Sequence, residues 1–426
     1  MSPRRMRVAL LNTVILNGGD AAIASAIADT LREAFGDRLD LELLDGSPAA
    51  PAYYPEFSLL RDPHKLALAR EHVLFGRMGR GFNELRLMFG AFLLGKGMSP
   101  PPLLLTDDEE RALRALAEAD LVVSTGGTYL VEHYALRGRI FNFRLVNLLR
   151  RPLVLYTQSM GPFTKPEVRG PLAQELDQAR LILLRDPASL EHLKELGVTT
   201  PHAEVLPDSV FTIADAEELE RATSRVVPDV GARVLVSVRK WTKFQGREPE
   251  EGMREYTESV RAMIRELVDT RAAHVTLLST CQGIPEYWTD DSEVAMDVWA
   301  GLEPRYQERC EVDRAHHTLA ELKAHYARAD LVIATRMHAA IIALCAGTPV
   351  LPIEYEFKTR ELFKALGLER WVLDISTVTP AGAVERLGQV LEEVEGARAA
   401  LMAGVEEMRA GAARGAELTR EAVERG

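Results

Sequence analysis

The chain has 426 residues, long for one domain and comfortable for two. Hydrophobic residues make up 47% and charged residues 27%, a globular profile that excludes a disordered or collagen-like chain. Lys plus Arg number 51 against 63 Asp plus Glu, a formal net charge of -12. That balance argues against nucleic-acid binding and requires any anionic substrate to be held by a local cluster of cations.

The start, Met1–Met6, is basic, but the apolar run Val8–Leu11 is too short for a signal-peptide core. Val8–Leu11 reads as a buried strand. After a turn at Asn17–Asp20, Ile23, Ile27 and Leu31 recur at helical spacing, and Gly36 ends the helix. Further strands are expected at Leu39–Leu44, Leu121–Ser124, Leu153–Thr157 and Leu181–Leu184. Short apolar strands separated by helices predict a parallel sheet covered on both faces. The polar stretch Asp215–Asp229 marks a domain boundary, giving a first domain over 1–222 and a second over 223–395. In the second, strands are expected at Arg233–Val238, His274–Ser279, Leu331–Ala334 and Val350–Ile353. Amphipathic helical sequence runs from about Pro380, and 396–426 is set apart as a C-terminal helix. Two doubly wound α/β domains predict a ligand cleft outside the carboxyl ends of their strands.

Segment 61–100 departs from the acidic average. It carries Arg61, Lys65, Arg70, Arg77, Arg80, Arg86 and Lys96 against Asp62, Glu71 and Glu84, interleaved with Leu74, Phe75, Phe82, Phe89 and Phe92. This reads either as an insertion packed on the first domain or as a surface for an anionic membrane or a lipid phosphate. No apolar run is long enough to span a bilayer, because Gly347–Pro349 interrupts Ala339–Ile353. A cytoplasmic protein, peripheral to a membrane at most, is the expectation. Cys281, Cys310 and Cys345 have no paired spacing and read as reduced structural thiols.

The most informative segment is Asp330–Gly347, read as a strand, a turn and a helix beginning near Arg336, with Thr335 as N-cap and Gly347 as stop. Free N–H groups at such a helix start favour an anion. Arg336 adds a planar charged fork, and His338 a group that exchanges a proton near neutral pH. The alternative is an internal ion pair for Arg336 and a core position for His338. Arg239, Arg185 and Lys358 also follow predicted strands.

Asn17–Ile23 (NGGDAAI) is a strand-to-helix turn but not a P-loop, since no Gly-Lys-Ser/Thr follows. Its Asp20 either caps the helix or serves as a base or hydroxyl contact. Gly126 and Gly127 in Ser124–Thr128, and Ser159 in Gln158–Pro162, sit at strand ends where small residues admit a substrate close to the backbone. Asp290–Asp291 and His316–His317 are adjacent pairs rather than spaced metal ligands, and read as solvated loops. No metal site or Gly-x-Ser-x-Gly nucleophile elbow is read.

Taken together, these segments resemble the polysaccharide pyruvyl transferase family, most closely its colanic-acid branch, from the first strand to about residue 375. The resemblance rests on Asn17–Ile23, Ser124–Gly127, Gln158–Pro162, Leu184–Ser189, Leu206–Phe211, Leu278–Gly283, Tyr287–Asp291, Thr335–His338 and Glu354–Lys358. It implies an α/β, GT-B-like fold of two Rossmann-like domains facing a central cleft. It further implies transfer of pyruvate from phosphoenolpyruvate (PEP) onto two hydroxyls of a sugar, giving a cyclic ketal and phosphate, with no cofactor beyond PEP as co-substrate.

By the resemblance, Arg336, Met337 and His338 match the family's Arg-Leu-His element, in which the arginine binds PEP and the histidine stands at the reacting centre. Arg239, Arg185 and Lys358 fall at positions linked to PEP binding or activity. Asp20 is the weaker candidate base, and Gly126, Gly127 and Ser159 are assigned to the acceptor side. The acceptor implied is a lipid-linked oligosaccharide of an exopolysaccharide or cell-surface glycan. Leu16 replaces a glycine of the family's usual turn, and Met337 a leucine; the second exchange conserves volume. The runner-up is a GT-B glycosyltransferase with a nucleotide-sugar donor, whose diphosphate Arg336 and Lys358 would hold. A third reading is a catalytically silent binding protein.

Overall fold

The computed structural model describes residues 5–69, 76–132, 134–199 and 201–424. The chain divides into two compact units. The first comprises Met1–Leu16, Ile23–Ser209 and Gly411–Gly426, and the second Asn17–Ala22 and Val210–Ala410.

Among the described residues, the sheet of the first unit contains β1 (Met6–Thr13), β2 (Leu39–Asp45), β3 (Ser58–Arg61), β4 (Leu121–Ser124), β5 (Gly127–Leu130), β6 (Leu153–Met160), β7 (Leu181–Leu184) and β8 (His202–Val205). The spatial order is β3-β2-β1-β4-β6-β7-β8, with β5 beside β6 and every pairing parallel. β4 and β7 are buried at every residue, so they show apolar runs rather than alternation. Leu11, Val122, Leu155 and Leu184 carry the sheet's share of a core that also takes Leu113 and Leu145 from the covering helices.

Local chemistry sets the helix ends. Thr106 and Glu109 form a capping box on helix Asp107–Glu118, whose first turn is acidic. Asp186 caps helix Pro187–Leu196, which begins on proline and ends at Gly197 with φ 86°.

The sheet of the second unit contains, among the described residues, β9 (Arg233–Ser237), β10 (His274–Leu277), β11 (Cys310–Val312), β12 (Leu331–Ala334), β13 (Val350–Glu354) and β14 (Leu373–Asp374). Their order is β11-β10-β9-β12-β13-β14, again all parallel. Numbered within the unit, this is the 3-2-1-4-5-6 order of a doubly wound nucleotide-binding sheet. The order reverses between β9 and β12, where ligand sites of such sheets form.

The units part at Ser209/Val210, ahead of the expected boundary at 222/223. The polar stretch misleads because its helix Ala216–Ala222 buries Leu219 and Ala222 in the second unit. A Cβ on Gly347 would lie 2.5 Å from that of Ala222. The C-terminal helix is continuous over Pro380–Glu424 rather than beginning at 396, and its last part from Gly411 belongs to the first unit. There Gly411 lies against Pro207, and Gly415 leaves room for the Tyr156 hydroxyl.

In segment 61–100, Arg70, Glu71, Leu74 and Phe75 lie outside the described residues, as does the side chain of Arg77. Most of the remainder forms helices Pro63–Ala69 and Gly76–Gly95. Arg86 grips the buried Glu109 with two donors, and Arg137 does the same to Glu84. No helix among the described residues is long and apolar enough to cross a membrane.

Candidate active site

In the second unit the chain leaves β9 towards Arg239 and β12 towards Arg336, on either side of the reversal in strand order. Polar side chains tie these strand ends together. The Tyr256 hydroxyl lies 2.7 Å from Thr335 Oγ1 and accepts from the Arg239 N–H at 3.3 Å. Ser237 and Ser279 hydroxyls meet at 3.1 Å, and Ser279 donates to Asp291 at 2.7 Å.

The helix after β12 spans Met337–Cys345, with Arg336 at the N-cap position and no side-chain cap. The expected cap, Thr335, is committed to Tyr256 instead. Apart from His338, half-exposed, every residue of this helix is buried, so its start is fixed by the core.

Arg336 Nε and Nη2 donate to the two oxygens of Asp291 at 2.7 and 2.8 Å. Asp291 is 1% exposed, which corrects the reading of Asp290–Asp291 as a solvated loop. Asp290 caps helix Asp291–Ala300, and Asp291 is the floor beneath the arginine. Burial opposes the guanidinium's charge, but the Asp291 carboxylate outweighs it and holds the group charged well above arginine's ordinary range. Asp291 takes one edge of the fork, so Nη1 points away from it.

The turn Asn17–Asp20 belongs to this unit. Its capping contact comes from Asn17, whose Oδ1 accepts from the Gly19 N–H at 2.9 Å; Asp20 stands in the helix's first turn. Both glycines are required by close approach. A Cβ on Gly18 would fall 2.0 Å from the Thr280 carbonyl oxygen, and one on Gly19 would fall 2.5 Å from His338 Nδ1. His338 therefore lies directly on the residue before Asp20. Asn17 Nδ2 also donates to the Tyr287 hydroxyl at 3.4 Å. Burial raises the Tyr287 hydroxyl's pKa, with the Asp20 charge adding to it. Burial likewise pushes the Cys281 thiol up to about 12, where Arg336, Asp291, Asp20 and Arg239 are the neighbouring charges.

Tyr355 gathers the remaining cations. The Arg239 guanidinium sits 3.9 Å from the Tyr355 ring and 5.0 Å from that of Trp241, two rings whose own centroids are 4.8 Å apart, so it lies against Tyr355 at the side of an aromatic pair. Lys358 Nζ lies 5.7 Å from the same Tyr355 ring and 2.6 Å from Glu356. Arg336 is within electrostatic reach of Tyr355 as well. Arg239, Lys358, Arg336, Met337, His338 and Asp20 are thus brought together in one unit.

Arg185, Gly126, Gly127 and Ser159 belong to the first unit. Arg185 donates to Ser159 at 2.7 Å, to Asp208 at 2.5 Å and to Thr128. Its side chain is 5% exposed. Ser159 in turn donates to Asp186 at 2.6 Å. A Cβ on Gly126 would lie 2.8 Å from the Tyr156 carbonyl oxygen, so glycine lets this loop lie against β6. Gly127, at φ 124°, offers its carbonyl to Gln158 Nε2 at 2.8 Å.

His317 lies in a loop, as expected, but is half-buried rather than solvated. It pairs with Asp313 at 2.9 Å and meets the His325 ring edge-on at 4.7 Å between centroids. Asp313, His317 and His325 bring ligand atoms within 4.8 Å of one another, a grouping that could hold a metal ion and that the sequence did not indicate. Sequence reasoning assigned no role to Asp291, Tyr355, Tyr287 or Trp241. The Tyr287–Asp291 and Glu354–Lys358 segments were visible as motifs, but which side chains lie beneath or against the cations required the tertiary structure.

The polysaccharide pyruvyl transferase family profile matches residues 17–356. The amylovoran biosynthesis protein AmsJ of Erwinia amylovora is 26% identical over 387 residues, covering 89% of this chain and 90% of that protein. Among solved structures, a trehalose-6-phosphate synthase (OtsA) aligns with a TM-score of 0.56 at 12% identity over 98% of this chain and 99% of that one. A putative UDP-N-acetylglucosamine 2-epimerase from Listeria monocytogenes aligns with a TM-score of 0.55 at 11% identity, covering 93% and 91%. These likenesses show the GT-B-like fold of two Rossmann-like α/β domains.

Proposed function

The chain belongs to the polysaccharide pyruvyl transferase family, and from that premise we propose that it moves pyruvate from PEP onto two hydroxyls of a sugar in an exopolysaccharide precursor. The observation that carries this reading is the placement of Arg239 and Lys358 on the Tyr355 ring in the same unit as Arg336 and His338, in a chain of net charge -12. PEP carries its phosphate ester and its carboxylate on the same carbon, and neighbouring cations match that pair of charges.

In this reading the outward edge of Arg336 and the stacked Arg239 hold the two anionic groups. Asp291 keeps the Arg336 fork fixed, and Tyr355 spaces the cations. His338 protonates the methylene carbon of PEP, converting it to a methyl group, while an acceptor hydroxyl bonds to the adjacent carbon. Asp20, next to Gly19 under the histidine ring, takes that hydroxyl's proton. The second hydroxyl then bonds to the same carbon as the C–O bond to phosphate breaks. One hydroxyl proton leaves on phosphate and the other restores the acid, so atoms and charge balance. Arg336 and Arg239 offset the charge that builds on the departing phosphate.

Arg185 enters as a positioning residue, because its donors are engaged by Ser159, Thr128 and Asp208. With Gly126, Gly127 and Ser159 it shapes the acceptor-side strand ends of the first unit. The acceptor in this reading is a lipid-diphosphate-linked oligosaccharide.

The test is product formation from PEP with a panel of galactose-containing oligosaccharides, free and lipid-linked. The expected result is one phosphate released per ketal, with the ketal methyl group seen by proton NMR. Glycosyl transfer from a UDP-sugar to the same panel, without PEP consumption, would overturn the reading in favour of a glycosyltransferase.

A further inference from the structure

Helix Gly76–Gly95 inverts the usual polarity of a surface helix. Phe82, Leu85, Phe89 and Phe92 are exposed by 64, 63, 50 and 42%. Glu84 and Arg86, on the same helix, are buried and engaged by Arg137 and Glu109. A surface helix in water turns charges out and apolar side chains in. Here, from Phe82 to Phe92, the charged groups face inward and an apolar stripe faces outward. Spacings of three, four and three residues place the four side chains on one face, about 15 Å long at 1.5 Å per residue. The stripe continues into the following loop, where Met98 is 46% and Leu103 98% exposed. Four neighbouring large apolar side chains differ from the scattered exposed leucine that any surface tolerates.

The charge around the stripe selects the occupant. Lys96, at its end, is exposed and lies 5.8 Å from the Phe92 ring. Of the segment's acids, the described ones are turned inward: Asp62 accepts from Asn142, and Glu84 from Arg137. The next acids along the chain, Asp107 and Asp108, open helix Asp107–Glu118, where the helix dipole favours them and Arg111 pairs with Asp108. A second copy meeting this face symmetrically would bring like-charged lysines together with no exposed carboxylate of segment 61–100, among its described residues, to receive them.

We propose that this face of helix Gly76–Gly95 docks on the surface of an anionic lipid bilayer, with Phe82, Leu85, Phe89 and Phe92 entering the headgroup–acyl boundary and Lys96 pairing with lipid phosphate. The stripe is too short to span a bilayer, so the helix lies in the interface. The surface is independent of the pyruvyl-transfer reading, and its test needs neither PEP nor sugar.

The experiment is co-sedimentation of the full chain with phosphatidylcholine vesicles, with and without phosphatidylglycerol. The wild type pellets with the anionic vesicles and is released by salt. Replacing the stripe (Phe82→Gln, Leu85→Gln, Phe89→Gln, Phe92→Gln) lowers partitioning by roughly tenfold or more, with a folded variant confirmed by its cooperative thermal transition. Independently of that variant, Phe89→Trp gains fluorescence that brominated lipid quenches beyond the wild-type signal. Retention of the wild type in the supernatant, or equal partitioning of wild type and the stripe variant, would overturn the proposal. So would a wild-type dimer in light scattering that the stripe variant converts to monomer, which would assign the face to self-association.

Discussion

Of the arginines that follow strand ends, Arg185 in the first unit and Arg336 in the second are each paired with a buried aspartate. Arg185, after β7, meets Asp208, and Arg336, after β12, meets Asp291. Their environments separate them. Arg185 is engaged at Nε, Nη1 and Nη2 by Ser159, Asp208 and Thr128 and is 5% exposed. Arg336 gives only its Nε–Nη2 edge to Asp291 and is 13% exposed. The first geometry locks a framework, and the second holds a cation in place while leaving an edge for something else. A strand end followed by arginine therefore does not by itself distinguish scaffold from ligand contact; the number of donors already engaged does.

The strongest way to break this comparison is to remove the aspartates. Asp291→Ala and Asp208→Ala each leave a guanidinium largely buried without its partner, at a cost of about 3–5 kcal/mol. Denaturant titration should show comparable losses of stability. Only the Asp291 change should also abolish PEP binding beyond what instability explains, while equal effects on PEP affinity would erase the distinction. Next in size, His338→Ala should lower kcat by roughly 10²–10⁴-fold while PEP still binds. Near-normal turnover would remove histidine from the role of acid.

A smaller effect is expected at Tyr355. Tyr355→Leu removes the ring under Arg239 and should weaken PEP binding by about 0.5–2 kcal/mol. An unchanged dissociation constant would mean that the stacking does not position the arginine.

The smallest effect concerns the thiols. Burial raises Cys281 and Cys310 to about 12, so the folded state keeps both protonated. A raised folded pKa gives stability present below the unfolded value of about 8.5 and lost as pH rises towards about 12. Tm should fall across that alkaline window, and Cys310→Ala should flatten part of the fall. At pH 8 both thiols should resist iodoacetamide, and rapid alkylation of the native protein would contradict their burial.

Much of the fold was legible because buried parallel strands announce themselves as apolar runs. Leu121–Ser124, Leu181–Leu184 and Leu331–Ala334 are strands with the bounds that the sequence indicated. The strands missed include β3, β8, β11 and β14, the edges of the two sheets. An edge strand is half covered, so segments such as His202–Val205 carry no apolar run. β5 was missed because it pairs with β6 outside the main strand order. At the site, Arg336 and His338 were legible from a local strand-turn-helix pattern. Asp291 was not, because it precedes Arg336 by 45 residues and its burial depends on a helix packed from elsewhere. Periodicity reports only neighbours along the chain, and the polarity of Asp215–Asp229 carries no signal of the division at Ser209/Val210.

The most direct test of the central claim, that Arg336 forms a PEP site, is a thermal-shift titration of wild type and Arg336→Lys with PEP, inorganic phosphate and UDP-sugars. Lysine preserves a charge for Asp291 but not the two-edged fork, so the variant separates ligand geometry from folding. The account predicts saturable stabilisation of the wild type by PEP, about 2.7 kcal/mol at 100 times Kd, and its loss in Arg336→Lys. Stabilisation by UDP-sugars in place of PEP, or equal stabilisation of both proteins by PEP, would contradict it.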